Sequence, residues 1–366
     1  MSVPSRLLYV DNLRVCLTML VVAHHVALVY GNLRVWPNAQ PPPTVGEGLP
    51  LDAFVLLNQT FFMGLFFLLS GLVAPGSLDR RGPRGFAADR LRRLGIPFLI
   101  FLVLLRPIYT LPTYLDLPVG ERPSYGVFYL TESDIGPMWF VEVLLIFSLC
   151  YAFLRRPGRA GPVAGRLRAW HILGFALVLG AVTYLWRVLV PLGTYVPVLG
   201  LPSAAYLPQY VALFAVGVVA HRRGLLSELR RPVPLGLGLV AASLVPMVAL
   251  GGYETLAPEG APPALAPAHL GFALWDSLFA TGTILLLLGL FRRYANVAGP
   301  RARFLARNAY AVYLVHAPII VGVVAMARPV EFAAVPKFLV VLPIAMALSW
   351  LVAGLVTRLP WFRTVL

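Results

Sequence analysis

Eight ionisable residues fall inside long apolar runs of this 366-residue chain: Asp11, Arg14, His24, His25, Arg106, Glu142, Asp276 and His316. A charged side chain at mid-bilayer costs about 3 kcal/mol or more, so each marks a candidate functional position. Arg14 and His25 stand eleven residues apart. On an α-helix that spacing is about 16 Å of rise and three turns plus about 20°, which puts both on one face. His24 is turned about 100° from His25 and cannot share the stripe. A neutral imidazole can take a proton from an attacking hydroxyl, so His25 reads as a general base and His24 takes a supporting or structural role. The blander account of His25 is a hydrogen bond that ties helices together; the face shared with Arg14 favours chemistry.

Other positions extend the set. Glu142 lies one turn beyond Trp139, where an unpaired carboxylate is costly. It is expected to pair with an Arg or a His, either orienting a catalytic histidine or stabilising Arg106. His316 follows Tyr313 by three residues and precedes Pro318, a setting that suits interhelical hydrogen bonding. Gly64, Ser70 and Gly71 punctuate the aromatic run from Phe61 to Gly71, where small residues permit close backbone approach. Between Asp79 and Arg93 lie six arginines: Arg80, Arg81, Arg84, Arg90, Arg92 and Arg93. Guanidiniums hold polyphosphates through bidentate charge-assisted bonds, and Arg90 and Arg93, one turn apart, can grip one anion together. Ordinary inner-surface charge in contact with anionic lipid is the competing account.

Such residues need a membrane scaffold to position them. The hydrophobic set makes up 59% of the chain and charged residues only 12%, half the roughly 25% of a soluble domain, which excludes a single soluble fold. Windows of about 19 residues predict spans near 7–30, 54–74, 94–112, 137–154, 170–190, 206–221, 233–251, 270–291, 308–327 and 335–357. The expected fold is therefore all-α: one polytopic membrane domain of about ten transmembrane helices with no appended soluble domain. The ionisable residues in the first stretch argue against a cleavable signal peptide. Cys16 and Cys150 lie in apolar runs without CxxC spacing, so neither a disulfide framework nor a metal site is expected.

The net charge of +15 would suit a nucleic-acid partner, but its placement points elsewhere. Counting the amino-terminal segment as inside, 23 basic residues fall on that side, from Arg6 through the Arg80–Arg93, Arg155–Arg168, Arg222–Arg231 and Arg292–Arg307 groups to Arg358 and Arg363. Five fall on the other: Arg34, Arg122, Arg187, Arg328 and Lys337. By the positive-inside rule both termini are cytoplasmic. Most acids, Glu47, Asp52, Asp116, Glu121, Glu132, Asp134, Glu254, Glu259 and Glu331 among them, segregate outside. The basic balance is a topology signal, and no nucleic-acid partner is expected.

Together these residues resemble the membrane-bound acyltransferase family 3. Arg14 and His25 reproduce its Arg, ten residues, His signature; Leu8 to Arg14 is similar to its opening, Phe61 to Gly71 to its Phe-rich Ser-Gly span, Phe86 to Arg93 to its inner arginine motif, and Met138-Trp139-Phe140 and Tyr310 to Pro318 complete the match. The paired histidines, Tyr30-Gly31, Phe62 to Phe67 and Arg93 to Pro97 resemble a branch that succinylates glucans. The resemblance implies transfer of an acyl group, acetyl or succinyl, from a cytoplasmic acyl-coenzyme A to a hydroxyl of a carbohydrate or other envelope acceptor, in the cell's inner membrane and with no bound cofactor. On that reading Arg90 and Arg93 hold the coenzyme A phosphates, Arg14 orients the thioester and His25 activates the acceptor, with Glu142 as a further catalytic candidate. Asp11, Ser70, His24, Trp139, Arg106 and His316 are the remaining substrate-contact candidates, Arg106 as the cation a succinyl donor requires. A multi-span exporter or flippase for a lipid-linked or sugar substrate is the alternative from another class. It predicts flux without thioester consumption and calls for broken helices on both faces.

Overall fold

The computed structural model describes residues 8–154, 167–197, 200–256, 263 and 265–360. Arg6, Arg155, Arg156, Arg159, Arg166, Glu259 and Arg363, all part of the charge pattern, lie outside the described residues. The helices are α1 (Leu8–Tyr30), α2 (Val45–Arg90), α3 (Ile96–Ile100), α4 (Arg106–Leu115), α5 (Tyr125–Thr131), α6 (Trp139–Leu154), α7 (Ala169–Leu189), α8 (Leu207–Arg223), α9 (Leu225–Glu228), α10 (Pro232–Ala249), α11 (Pro267–Tyr294), α12 (Pro300–Ala327) and α13 (Ala334–Val356). No β-strand occurs among the described residues. The protein is an all-α polytopic membrane protein, as satisfied backbone in hydrocarbon requires.

Nine helical stretches among the described residues are long and apolar enough to cross a bilayer, where the sequence suggested ten. The difference lies in one continuous run of 71 residues, Val45–Leu115. The arginine-rich segment between the spans near 54–74 and 94–112 is helical, with Phe86 fully buried. The run breaks only at Gly82, whose φ of 68° belongs to the left-handed region that glycine enters without Cβ cost. A straight helix of that length would reach about 105 Å, far beyond a bilayer, so the bend divides it into two limbs.

Two π-helical turns, Leu91–Gly95 and Phe101–Leu105, interrupt the second limb. Both precede prolines, which donate no hydrogen bond. Pro97 leaves the Arg93 carbonyl without its donor from four residues on, and the Tyr310 hydroxyl of α12 donates to it instead (3.0 Å). Arg106 N–H bonds the Phe101 carbonyl five residues back, and in that register Pro107 cannot serve Leu102, whose carbonyl accepts from the Tyr129 hydroxyl. Tyrosines from elsewhere thus complete backbone that the sequence of this limb leaves open.

In hydrocarbon, helices associate through close packing rather than hydrophobic transfer, and small residues make the contacts. A Cβ on Gly71 of α2 would stand 2.1 Å from the Phe214 carbonyl oxygen of α8, and one on Gly217 of α8 would stand 2.2 Å from the Leu68 oxygen. Gly236 of α10 and Gly282 of α11 meet in the same way. Lipid-facing stripes are apolar: Val340, Ile344, Leu348, Leu351 and Leu355 lie exposed along α13, while Val341, Ala345, Ser349 and Ala353 face inward. Arg187 of α7 and Asp276 of α11 form a buried ion pair (2.6 Å), with the guanidinium over the rings of Tyr206 (4.8 Å) and Phe272 (5.4 Å). The most enclosed spans are α1 and α12, each 72% buried over its apolar window.

Candidate active site

His25 of α1 and His316 of α12 meet at this enclosed centre, with His25 Nδ1 2.9 Å from His316 Nε2. The other nitrogen of His316, Nδ1, lies 2.7 Å from the Tyr313 carbonyl oxygen. A carbonyl only accepts, so His316 carries its proton on Nδ1 and its Nε2 accepts from His25 Nδ1. His25 is thereby left with a bare Nε2 lone pair, the form a general base requires. His316 is fully buried, whereas His25 keeps part of its surface open.

A lid of aromatic side chains surrounds the pair. Trp36, in the segment after α1, stacks on His25 (centroids 4.2 Å apart), and its Nε1–H is buried with no acceptor among the described residues. Tyr109 of α4 meets Trp36 edge-on (5.2 Å) and donates its hydroxyl to Asp134 Oδ2 (3.0 Å). The segment that carries Trp36 is pinned at both ends. Asn32 donates from its backbone (2.9 Å) and side chain (2.6 Å) to Asp52, and the Gln40 N–H donates to the Val29 carbonyl (2.7 Å).

His24 faces a different helix. It stacks on Phe62 of α2 (4.9 Å) and its Nδ1 lies 3.3 Å from the Asn58 amide nitrogen. An amide NH₂ only donates, so His24 Nδ1 accepts and its proton sits on Nε2. The two adjacent histidines therefore hold opposite tautomers because each meets a different partner.

About 16 Å along α1 from His25, at the arginine-rich end, Arg14 lies 3.8 Å from Asp11. It contributes to the field at Arg90 together with Arg81 and Arg93. Asp89 takes Arg81 (2.6 Å) and Arg93 (3.0 Å) on one carboxylate oxygen. Arg90 lies over the Phe86 ring (4.9 Å), and its Nε makes no hydrogen bond among the described residues. Four guanidiniums against the carboxylates of Asp11 and Asp89 leave this cluster net positive, a setting for an anion of several charges.

The other sequence candidates stand apart from both groups. Arg106 donates to the carbonyls of Asp134 (2.8 Å), Tyr129 (3.0 Å) and Glu132, and its guanidinium covers the Tyr129 ring (4.7 Å). It clamps the segment before α6. Glu142 makes no ion pair or hydrogen bond among the described residues, so the expected pairing with an Arg or a His is not found there. The reason is its face: Glu142 lies on the half-open stripe of α6 with Leu145, Ile146 and Cys150, while Val141, Leu144 and Ser148 turn inward. Trp139 stacks on Tyr210 of α8 (5.6 Å) inside an aromatic cluster with Phe67 and Phe140, and Ser70 is half-buried beside Gly71.

Sequence reasoning did not find Trp36, Asn58, Asp89 or Tyr109. Asp89 had a signal, being four residues before Arg93, where opposite charges pair on one helix face. Trp36 sits in a connection without period, and nothing local marks it.

A family model described as an acyltransferase domain matches residues 7–354. Two curated relatives, glucans biosynthesis protein C of Escherichia coli strain SMS-3-5 / SECEC and of Escherichia coli O1:K1 / APEC, are each 26% identical over 158 residues, which is 40% of this chain. The aligned stretch spans 39% of the length of each relative.

Proposed function

The chain belongs to this acyltransferase family, and from that premise we propose that it moves an acyl group, acetyl or succinyl, from a cytoplasmic acyl-coenzyme A to a hydroxyl of a cell-envelope carbohydrate, working in the cell's inner membrane. The observation that carries this reading is the tautomer of His25, fixed by His316, which leaves Nε2 free to accept a proton. The printed name of the relatives, which refers to glucans, supports a carbohydrate acceptor.

In this mechanism Arg90 and Arg93 grip the phosphates of the donor, with Arg14 adding charge between them and the membrane interior. The acyl arm then runs along α1 toward His25. His25 Nε2 takes the proton of the acceptor hydroxyl as its oxygen attacks the thioester carbonyl. The indole N–H of Trp36, buried and unpaired beside the base, donates to the oxyanion that forms. The C–S bond breaks, the ester remains on the acceptor, and the imidazolium returns its proton to the departing thiolate. No covalent acyl-enzyme is needed. His24 and Asp11 border these groups, while Ser70, Trp139 and Glu142, which stand apart from both, take no step in this mechanism.

The test is thiol release from acetyl- and succinyl-coenzyme A by the full chain in nanodiscs, with a pool of membrane carbohydrates as acceptors. We expect acceptor-dependent release by the wild type and its loss in a folded His25→Ala variant. Flux of a sugar without thioester consumption would instead establish an exporter, and a fully active His25→Ala would remove His25 as the base.

A further inference from the structure

At the outer end of α1 the chain forms a second concave surface, a cleft of about 550 Å³ between the segment after α1 and the α12–α13 connection. Its polar lining includes Gln40, Glu47, Arg328, Glu331 and Lys337, and Tyr30 lies beneath. Two carboxylates face two cations, so the cleft has no net charge. That balance neither attracts a polyanion nor suits an acyl tail, which would have to strip four ionic groups of water.

The hydrogen bonds in the cleft leave capacity for a ligand. Lys337 Nζ donates to Gln40 Oε1 (2.8 Å) and lies 5.5 Å from the centre of the Tyr30 ring. The Tyr30 side chain, 1% exposed, forms the floor beneath Lys337. Phe332, at the rim, is 60% exposed, an aromatic face open to whatever enters.

The cleft and the histidine pair share one structural part. The segment that brings Gln40 into the cleft also carries Trp36 onto His25, and its Gln40 N–H bonds Val29, four residues beyond His25 on α1. Tyr30 itself is five residues beyond His25, about 7.5 Å along the helix.

We propose that this cleft binds the acceptor as an uncharged, hydroxyl-rich glycan, with Phe332 stacking a sugar ring and Gln40, Glu47, Glu331 and Lys337 meeting its hydroxyls. A hydroxyl of the bound chain that reaches past Trp36 arrives at His25 Nε2. The assignment rests on the acyltransferase reading for its chemistry, and on the cleft alone for its binding.

The experiment measures two quantities on the full chain in nanodiscs: binding of a glucose hexamer by calorimetry without donor, and the acceptor KM for the same hexamer with succinyl-coenzyme A. Glu331→Ala and Phe332→Ser each alter a lining residue already in solvent, so both variants are expected to fold. Each should raise the hexamer Kd and the acceptor KM about tenfold, the scale of one lost polar or ring contact. If both values stay unchanged while the wild type still consumes thioester, the cleft assignment falls and acyl transfer stands. If the variants weaken hexamer binding but no thioester is consumed, the cleft stands and the transfer reading falls. A wild type that neither binds the hexamer nor acylates it overturns the proposal, and tighter binding of a glucuronate hexamer overturns the uncharged class.

Discussion

The state of one imidazole depends on a carbonyl two hydrogen bonds away. Tyr313 O fixes His316, His316 fixes His25, and His25 presents its lone pair to the site. His316→Ala should therefore act on kcat, lowering it about a hundredfold by freeing the His25 tautomer, while KM for donor and acceptor moves little; steady-state kinetics on the folded variant decide it. Replacing Trp36 by its sulfur isostere benzothienylalanine keeps the bicyclic ring on His25 and removes only Nε1–H. Since that N–H makes no hydrogen bond in the free protein, a purely structural role leaves kcat where it was, whereas an oxyanion donor costs about a hundredfold or more. The Arg14–His25 spacing was legible because one helix carries both, and its period links them. The His25–His316 contact joins positions 291 residues apart, and no local pattern encodes it. Glu142 shows the converse: the cost of an unpaired carboxylate suggested a partner, but the sequence does not say which stripe of α6 faces the protein and which faces outward.

Helices in this bundle are held at the distance that glycine allows. Gly217→Ala puts a methyl against backbone atoms of α2 at Leu68, Gly71 and Leu72, and backbone cannot yield as a flexible side chain does. We expect a destabilisation of about 1–3 kcal/mol, seen as a lower Tm in detergent, and a much smaller change for Gly322→Ala, where a Cβ meets nothing. Apolar runs made the existence of nearly every span readable. The junction near Gly82 was not, because arginines on a helix at the membrane surface have the same composition as arginines in a loop. The π turns were equally hidden: Pro97 and Pro107 signal broken hydrogen bonding, but their remedy, Tyr310 and Tyr129, comes from distant parts of the chain.

Across the described residues, polarity is sorted into an arginine-rich end, an enclosed centre with two histidines, and a charge-balanced cleft beyond the other end of α1. Away from that axis the Arg187–Asp276 pair locks α7 to α11 with almost no exposure. Arg187→Met, which strands a buried carboxylate, should lower stability by about 3–5 kcal/mol, and Arg187→Met with Asp276→Leu should recover most of it; unfolding of the two variants in detergent distinguishes an ion pair retained for geometry from one retained for energy. The charge asymmetry between the two sets of connections was readable in the sequence, since it needs only counting. The location of the centre was not, since burial in a membrane bundle depends on which helices surround which. That centre is built from α1 and α12, whose histidines are 291 residues apart. During synthesis α1 enters the bilayer and waits, His25 without its later neighbour, until the helices between it and α12 have been made. A chain terminated before α12 would occupy the membrane and yet lack an ordered base, so the site becomes competent only once α12 has been made.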